Sequence, residues 1–160
     1  MIRYVLAVIL TVALFALAAP AIDRAGTDSS ERAVETSISD LEEASASLMN
    51  NEELPPANQA HHSPQRTVTV SLPAEAVTKA PVERFVIERI DSQTTRVSYR
   101  IQGGGAKETI LEEPIVYQES TANRSMELGG AGKKQLRLTL EPDERGEPVI
   151  VIQRAAALQV

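Results

Sequence analysis

The 160-residue sequence contains no cysteine and no tryptophan, and it has only two histidines, two phenylalanines and three tyrosines. Without cysteine, neither a disulfide framework nor a thiolate metal site can form. The histidines, His61 and His62, are adjacent in a polar, proline-rich segment, and no other His or Cys exists to complete a metal site or a His-based acid–base pair. We therefore expect no catalytic residues, no cofactor and no metal, and we interpret the chain as a non-enzyme.

Basic charge is scarce as well, and its distribution is uneven. Between Asp23 and Glu53 nine acidic residues face two basic ones, a net charge of −7. From His61 onward 13 acidic residues balance 13 basic ones. Because no basic stripe exists, nucleic acid is not an expected partner.

Charge is absent altogether from one long segment, Tyr4 to Ile22, directly behind Arg3. A helix of this length reaches roughly 28 Å, close to the ~30 Å hydrocarbon core of a bilayer. Its Val, Leu, Ile and Phe residues favour insertion by roughly 3–6 kcal/mol in total. Residues 1–22 are therefore predicted to be a transmembrane anchor, or else a signal peptide.

The flanks of this segment predict its orientation. Arg3 precedes it and Asp23 follows it, so the positive-inside rule places the N-terminus in the cytoplasm and the bulk of the chain outside the cell membrane. The alternative is a cleaved secretory signal, because Ala16-Leu17-Ala18 fits the small-x-small pattern ahead of a cut before Ala19. Both alternatives make the remaining chain extracytoplasmic.

Residues 23–54 are predicted to form an acidic amphipathic helix that ends before Pro55-Pro56. Asp28 and Glu31 fit a capping box, so this helix could start afresh there, or the apolar helix could continue through Gly26 as one rod. Its apolar side chains form one narrow seam, which is either a contact surface for a protein partner or for self-association, or the face that packs on the chain's own β-domain. The seam residues are Val34, Ile38, Leu41 and Leu48.

After a Pro-rich linker at residues 55–65, the apolar period changes from helical spacing to strict alternation. This pattern predicts an antiparallel β-domain at 66–154, a sandwich or curved sheet of about seven strands, followed by a C-terminal tail at 155–160. The fold class is therefore α+β. The candidate strands are 66–72, 84–90, 95–101, 107–111, 115–118, 125–128, 133–141 and 149–154.

Two local signals lie between these strands. Gly103-Gly104-Gly105 predicts a hairpin that joins the strands on either side, and it lacks the Lys-Ser/Thr and the following helix of a phosphate-binding loop. Asn123-Arg124-Ser125 is an N-x-Ser sequon, so Asn123 is a candidate glycosylation site.

An apolar N-terminal helix, an amphipathic extension and a terminal β-domain resemble the layout of type IV pilins and pseudopilins, which assemble through their N-terminal helices. The sequence departs from them in having no leader before the apolar run and no glutamate near its start. The resemblance therefore does not imply that this chain is processed or polymerised as pilins are. The stretches MIRYVLAVILTVALFALAAPAIDRA, SERAVETSISDLEEA and NEELPP resemble a small uncharacterised family of single-pass membrane proteins from halophilic archaea. That resemblance implies a salt-rich setting and genes that accompany those of type II/IV-secretion-like ATPases and membrane platforms.

Together these features predict a membrane-anchored extracytoplasmic protein, an accessory or minor-pilin-like component of a type IV pilus or secretion-like assembly. The alternative is a secreted or surface β-sandwich that binds a ligand. That alternative needs a concave or aromatic patch, and the sequence shows none.

Overall fold

The computed structural model describes residues 2–55, 63–76, 78–118 and 125–155, apart from the side chains of residues 19 and 20. The His61–His62 pair and Asn123 lie outside the described residues. Within these ranges the chain forms one helix and eight strands: α1 (Ile2–Asn51), β1 (Gln65–Leu72), β2 (Val82–Arg89), β3 (Thr95–Ile101), β4 (Ala106–Leu111), β5 (Ile115–Tyr117), β6 (Ser125–Glu127), β7 (Gly132–Pro142) and β8 (Pro148–Arg154).

Helix α1 is a single helix of 50 residues. It continues through Gly26 and Asp28, so the structure has one rod and not a second helix that starts at Asp28. A glycine inside a helix costs about 1 kcal/mol relative to alanine, which the long helical segments on both sides can tolerate. The helix ends at Asn51, ahead of Pro55, in agreement with the expected stop.

The strands form two four-stranded sheets, a first sheet with the order β1-β7-β8-β5 and a second with the order β4-β3-β2-β6. The predicted α+β fold with a β-sandwich is therefore confirmed, and every predicted strand boundary lies within two residues of the observed one. The predicted hairpin is β3–β4, in which Tyr99 pairs with Lys107. Its turn needs glycine at position 103, where φ is +77°.

One pairing differs from the expected antiparallel arrangement. Strand β5 runs parallel to β8, with Ile115 opposite Ile150 and Tyr117 opposite Ile152. The reason is the connection before β5: the chain leaves β4 in the second sheet, crosses one end of the sandwich at residues 112–114, and enters the first sheet from the end at which β8 also begins. Such a crossing produces a parallel pair, which a tight hairpin cannot form.

The core between the sheets consists mainly of Val, Ile and Leu side chains, as the low aromatic content requires. Leu136 and Leu138 of β7 are fully buried, and so are Val70 of β1 and Ile150 of β8. Phe85 is the largest side chain that is fully buried among the described residues. The apolar residues of the alternating pattern that predicted the strands are therefore the ones that face the core.

The second half of α1 lies along the edge strand β1. The Ser71 backbone N–H, on the side of β1 that no strand pairs with, donates to Ser37 Oγ at 3.1 Å. Two further serines of this helix face, Ser30 and Ser45, are fully buried, and their hydroxyls have no hydrogen-bond partner. These small side chains let the helix approach β1 closely. The helix thereby covers the free edge of β1, which would otherwise be open to pairing with another chain.

These serines give a matched pair of stability predictions. Ser37→Ala should destabilise the fold by about 1–3 kcal/mol, because the Ser71 N–H stays buried without an acceptor. Ser45→Ala should leave stability unchanged or raise it by up to about 1 kcal/mol, because it removes an unsatisfied buried hydroxyl. Urea denaturation of the full chain in detergent, followed by far-UV circular dichroism, measures both. Equal losses in the two variants would contradict the assigned role of Ser37.

Candidate functional site

The first half of α1 projects from the sandwich with its apolar side chains uncovered. Within the described residues α1 is the one helix long and apolar enough to cross a membrane, so it could be a membrane anchor or a signal. Its large apolar side chains from Ile2 to Ile22 are between 50% and 80% exposed. Keeping this surface in water costs on the order of 20 kcal/mol relative to burying it, so the segment favours an apolar environment.

The seam predicted as a partner contact lies elsewhere. Val34, Ile38, Leu41 and Leu48 are at most 3% exposed, and all four belong to the hydrophobic core of the sandwich. Of the two interpretations of the seam, the structure has the one in which it packs on the chain's own β-domain. The physical reason is that the sandwich has an open side next to β1, and the narrow apolar stripe of the helix fills it. These side chains are therefore not available as a surface for a partner.

The apolar half of α1 meets the sandwich at Gly26. The loop between β1 and β2 packs on this residue: a Cβ there would lie 3.5 Å from the Lys79 backbone nitrogen, and the Ala80 N–H donates to the Gly26 carbonyl at 3.4 Å. A side chain larger than methyl would push the loop away. A cavity of about 540 Å³ opens beside this contact, between the charged end of the apolar run at Asp23 and Arg24 and the β3–β4 turn.

A cluster of polar contacts holds the next helical turns. Lys107 of β4 forms ion pairs with Glu31 at 2.7 Å and with Glu35 at 3.4 Å, and the Tyr99 hydroxyl donates to Glu35 at 3.4 Å. The hydrogen bond to Glu31 raises the pKa of Lys107. Burial, followed by the nearby Glu35 carboxylate, raises the pKa of Tyr99. Because Lys107 and Glu35 are substantially exposed, these pairs orient the helix more than they stabilise it.

One carboxyl group near the docked part of α1 is partly buried and incompletely hydrogen-bonded. Glu113, on the segment that crosses between the sheets, has one buried oxygen, Oε2, without a hydrogen-bond partner. Burial raises the pKa of Glu113, and repulsion from Glu42 of α1 and from the adjacent Glu112 raises it further. The Thr95 hydroxyl fixes this segment by donating to the Glu113 carbonyl at 2.7 Å, so the carboxyl group cannot move away freely.

This arrangement predicts a pH-dependent stability. Folding raises the pKa of Glu113 above its ordinary value of 4.5, so the folded chain binds the proton more tightly than the unfolded chain. Stability should therefore fall as the pH rises through the window between 4.5 and the raised folded value. Glu113→Gln should stabilise the fold at pH 7, where the buried carboxylate is charged, and change its stability little below pH 4. Urea midpoints from pH 4 to pH 8 test this, with Glu83→Gln, which changes an exposed glutamate of β2, as control. An unchanged pH slope in Glu113→Gln would contradict the prediction.

Elsewhere in the described part of the chain, several ionisable side chains form surface pairs. On the outer face of the second sheet Arg96 binds Glu88 at 2.6 Å and lies 3.9 Å from Glu108, while Arg84 lies 3.6 Å from Glu127. Among the described residues no group of three or more His, Cys, Asp or Glu side chains could hold a metal ion. This face therefore has the ordinary chemistry of a solvated sheet.

Comparison with known proteins gives a family and no activity. The family model described as "Domain of unknown function (DUF7311)" matches residues 1–155, which includes the apolar helix and the sandwich. No curated protein and no solved structure matches the chain. The match covers nearly the whole chain, so the protein belongs to the DUF7311 family.

Proposed function

We propose that the protein is a non-enzymatic, single-pass membrane protein with an extracytoplasmic β-domain, and that it is an accessory or minor-pilin-like component of a type IV pilus or secretion-like assembly. The observation that carries the proposal is the division of α1. One face of its second half is buried against the sandwich, while the apolar side chains of its first half are exposed along the whole length of the run. A rigid helix of this kind can anchor in lipid and pack against other apolar helices.

The contact surface in this proposal is the apolar segment from Tyr4 to Ile22, and not the seam. A helix that passes without interruption from the membrane segment into the core of the β-domain fixes the distance and tilt between them. Subunits that assemble through such helices display their β-domains in a defined array. The resemblance to pilin layout supports this arrangement, and the family match is compatible with it.

The first experiment is the intact mass of the native protein in membrane and soluble fractions. We expect the full-length mass in the membrane fraction. A soluble protein that begins at Ala19 would have lost its apolar helix, and the assembly proposal would be withdrawn.

The second experiment uses the absence of cysteine, because any introduced thiol is unique. Leu6→Cys and Leu17→Cys should form disulfide-linked or bismaleimide-linked products in native membranes. Ser39→Cys, on the exposed side of the docked helix, serves as the matched control. Products confined to Ser39→Cys would argue against assembly through the apolar segment.

A further inference from the structure

Two loops of the β-domain contact α1 very close to the end of its apolar run. The β1–β2 loop packs on Gly26, and the β3–β4 turn packs on the next residue, where a Cβ at Gly104 would lie 3.3 Å from Thr27 Cγ2. At 1.5 Å per helical residue, these contacts lie about 6 and 7.5 Å beyond Ile22. The headgroup layer of a bilayer adds about 5–8 Å to each side of the hydrocarbon core. Because the helix is continuous, both loops lie at headgroup level when the apolar run spans that core.

The cavity of about 540 Å³ beside these contacts is lined by charged residues from the helix and from the β1–β2 loop. They are Asp23, Arg24, Asp28, Glu75 and Lys79. Successive helix positions are rotated by about 100°, so Asp23 projects between Gly26 and Thr27, the two positions that the loops contact. Its carboxylate therefore faces the cavity from the helix side, while Lys79 lines the loop side and Arg24 lies at the rim. The volume is within the range of about 300–1,000 Å³ that is usual for small-molecule sites.

The charges around this cavity are not neutralised by ion pairs. Within the described residues neither Asp23 nor Lys79 forms a salt bridge, and Arg24 forms none either. The following turns of the helix differ, because Glu31 is paired with Lys107 there at 2.7 Å. Opposite charges that line two sides of a cavity without meeting match a ligand that carries both an anionic and a cationic group.

The balance of charge selects among phospholipid headgroups. Two cations and three carboxylates give the lining a net charge of −1, which disfavours a headgroup that is only anionic. A phosphoethanolamine headgroup carries a phosphate together with a primary ammonium, whose three N–H donors suit a carboxylate. A choline headgroup has no such donors. A divalent cation does not fit either, because no group of three or more His, Cys, Asp or Glu side chains in the described part of the chain could hold a metal ion.

We propose that this cavity binds the headgroup of an amine-bearing phospholipid. Lys79 and Arg24 bond the phosphate, and the Asp23 carboxylate accepts hydrogen bonds from the ammonium. The site rests on the membrane anchoring proposed above, because it meets lipid only when the apolar run spans the bilayer. It would hold the β-domain against the membrane surface, since one lipid would contact both the helix and the β1–β2 loop.

The first test is native mass spectrometry of the full chain in detergent, titrated with phosphatidylethanolamine, phosphatidylcholine or phosphatidylglycerol of identical acyl chains. Phosphatidylethanolamine should bind about tenfold more tightly than the other two, as expected for additional charge-assisted hydrogen bonds. Asp23→Asn/Lys79→Gln should abolish this preference, because it removes one partner of the ammonium and one of the phosphate. The matched control is Glu144→Gln/Arg145→Gln, which removes one acid and one base from the exposed β7–β8 turn and should keep the preference.

The second test separates the site from the anchor. Because the chain has no cysteine, Ala76→Cys in the β1–β2 loop and Leu14→Cys in the apolar run each accept a single fluorescent label. In nanodiscs, a nitroxide on the lipid headgroup should quench the label at position 76, and a nitroxide deep in the acyl chain should quench the label at position 14. Ser92→Cys, in the exposed turn at the other end of β2, is the control and should not be quenched by either.

The outcomes distinguish failure of the site from failure of the anchor. Quenching at position 14 without quenching at position 76 would overturn the site and leave the anchor intact, whereas no quenching at position 14 would overturn both. Equal binding of the three lipids, or an equal loss of preference in the two double variants, would show that the cavity does not recognise the headgroup. Free phosphoethanolamine that binds as tightly as the phospholipid would show a site for a soluble ligand instead.

Discussion

Leu41→Asp should unfold the β-domain. Leu41 is fully buried in the core that α1 shares with both sheets. Truncating a buried leucine to alanine already costs about 3–5 kcal/mol, and a buried unpaired carboxylate adds several more. The sum is comparable to the whole stability of an ordinary domain, about 5–15 kcal/mol. Loss of the β-sheet circular dichroism signal and rapid proteolysis of the β-domain are the expected observations.

The matched control is Ser39→Asp, which introduces the same carboxylate two positions away on the exposed side of the helix. Its stability should stay within about 0.5 kcal/mol of the wild type. A Leu41→Asp variant that melts like the wild type and loses only a binding partner would show that the seam is a contact surface after all. The experiment thus separates the two interpretations of the seam directly.

Leu10→Arg/Leu14→Arg should release the chain from the membrane without disturbing the sandwich. Both leucines lie in the apolar run, and both are at least 60% exposed. Each change replaces a favourable residue with one that costs about 2.5–3.5 kcal/mol at the helix centre, so the pair removes roughly 6–8 kcal/mol. This exceeds the roughly 3–6 kcal/mol by which the apolar residues favour insertion.

Carbonate extraction followed by immunoblotting measures the release, and Leu10→Ile/Leu14→Ile is the control that keeps the run apolar. The β-domain should show wild-type urea denaturation in both variants, since neither side chain contacts it. Retention of the double arginine variant in extracted membranes would contradict the anchor, because the apolar run would then not be what holds the chain there.

The apolar run and the strands could be predicted from the sequence because their signals are local. The length of the charge-free segment from Tyr4 to Ile22 is a property of the sequence itself. Alternation such as Leu136, Leu138 and Leu140 fixes which side chains share a face before any partner strand is known. The positions of all eight strands within the described residues followed from such patterns and from the glycine-rich turns.

The tertiary structure decided two further features. The seam residues satisfy the spacing of both a coiled coil and a packed amphipathic helix, and only the open side of the sandwich next to β1 determines that they are buried within the chain. The parallel pairing of β5 with β8 depends on where the chain crosses between sheets, which no local pattern reports.

The sequence by itself therefore determined that the chain has an apolar helix of membrane-spanning length, an acidic helical extension and a β-domain. Helical and strand periodicity act over a few residues, so they can be recognised without a fold. Which apolar surfaces face each other depends on contacts between residues far apart in the chain. The burial of the seam was decided only when one face of the second half of α1 packed on the open side of the sandwich.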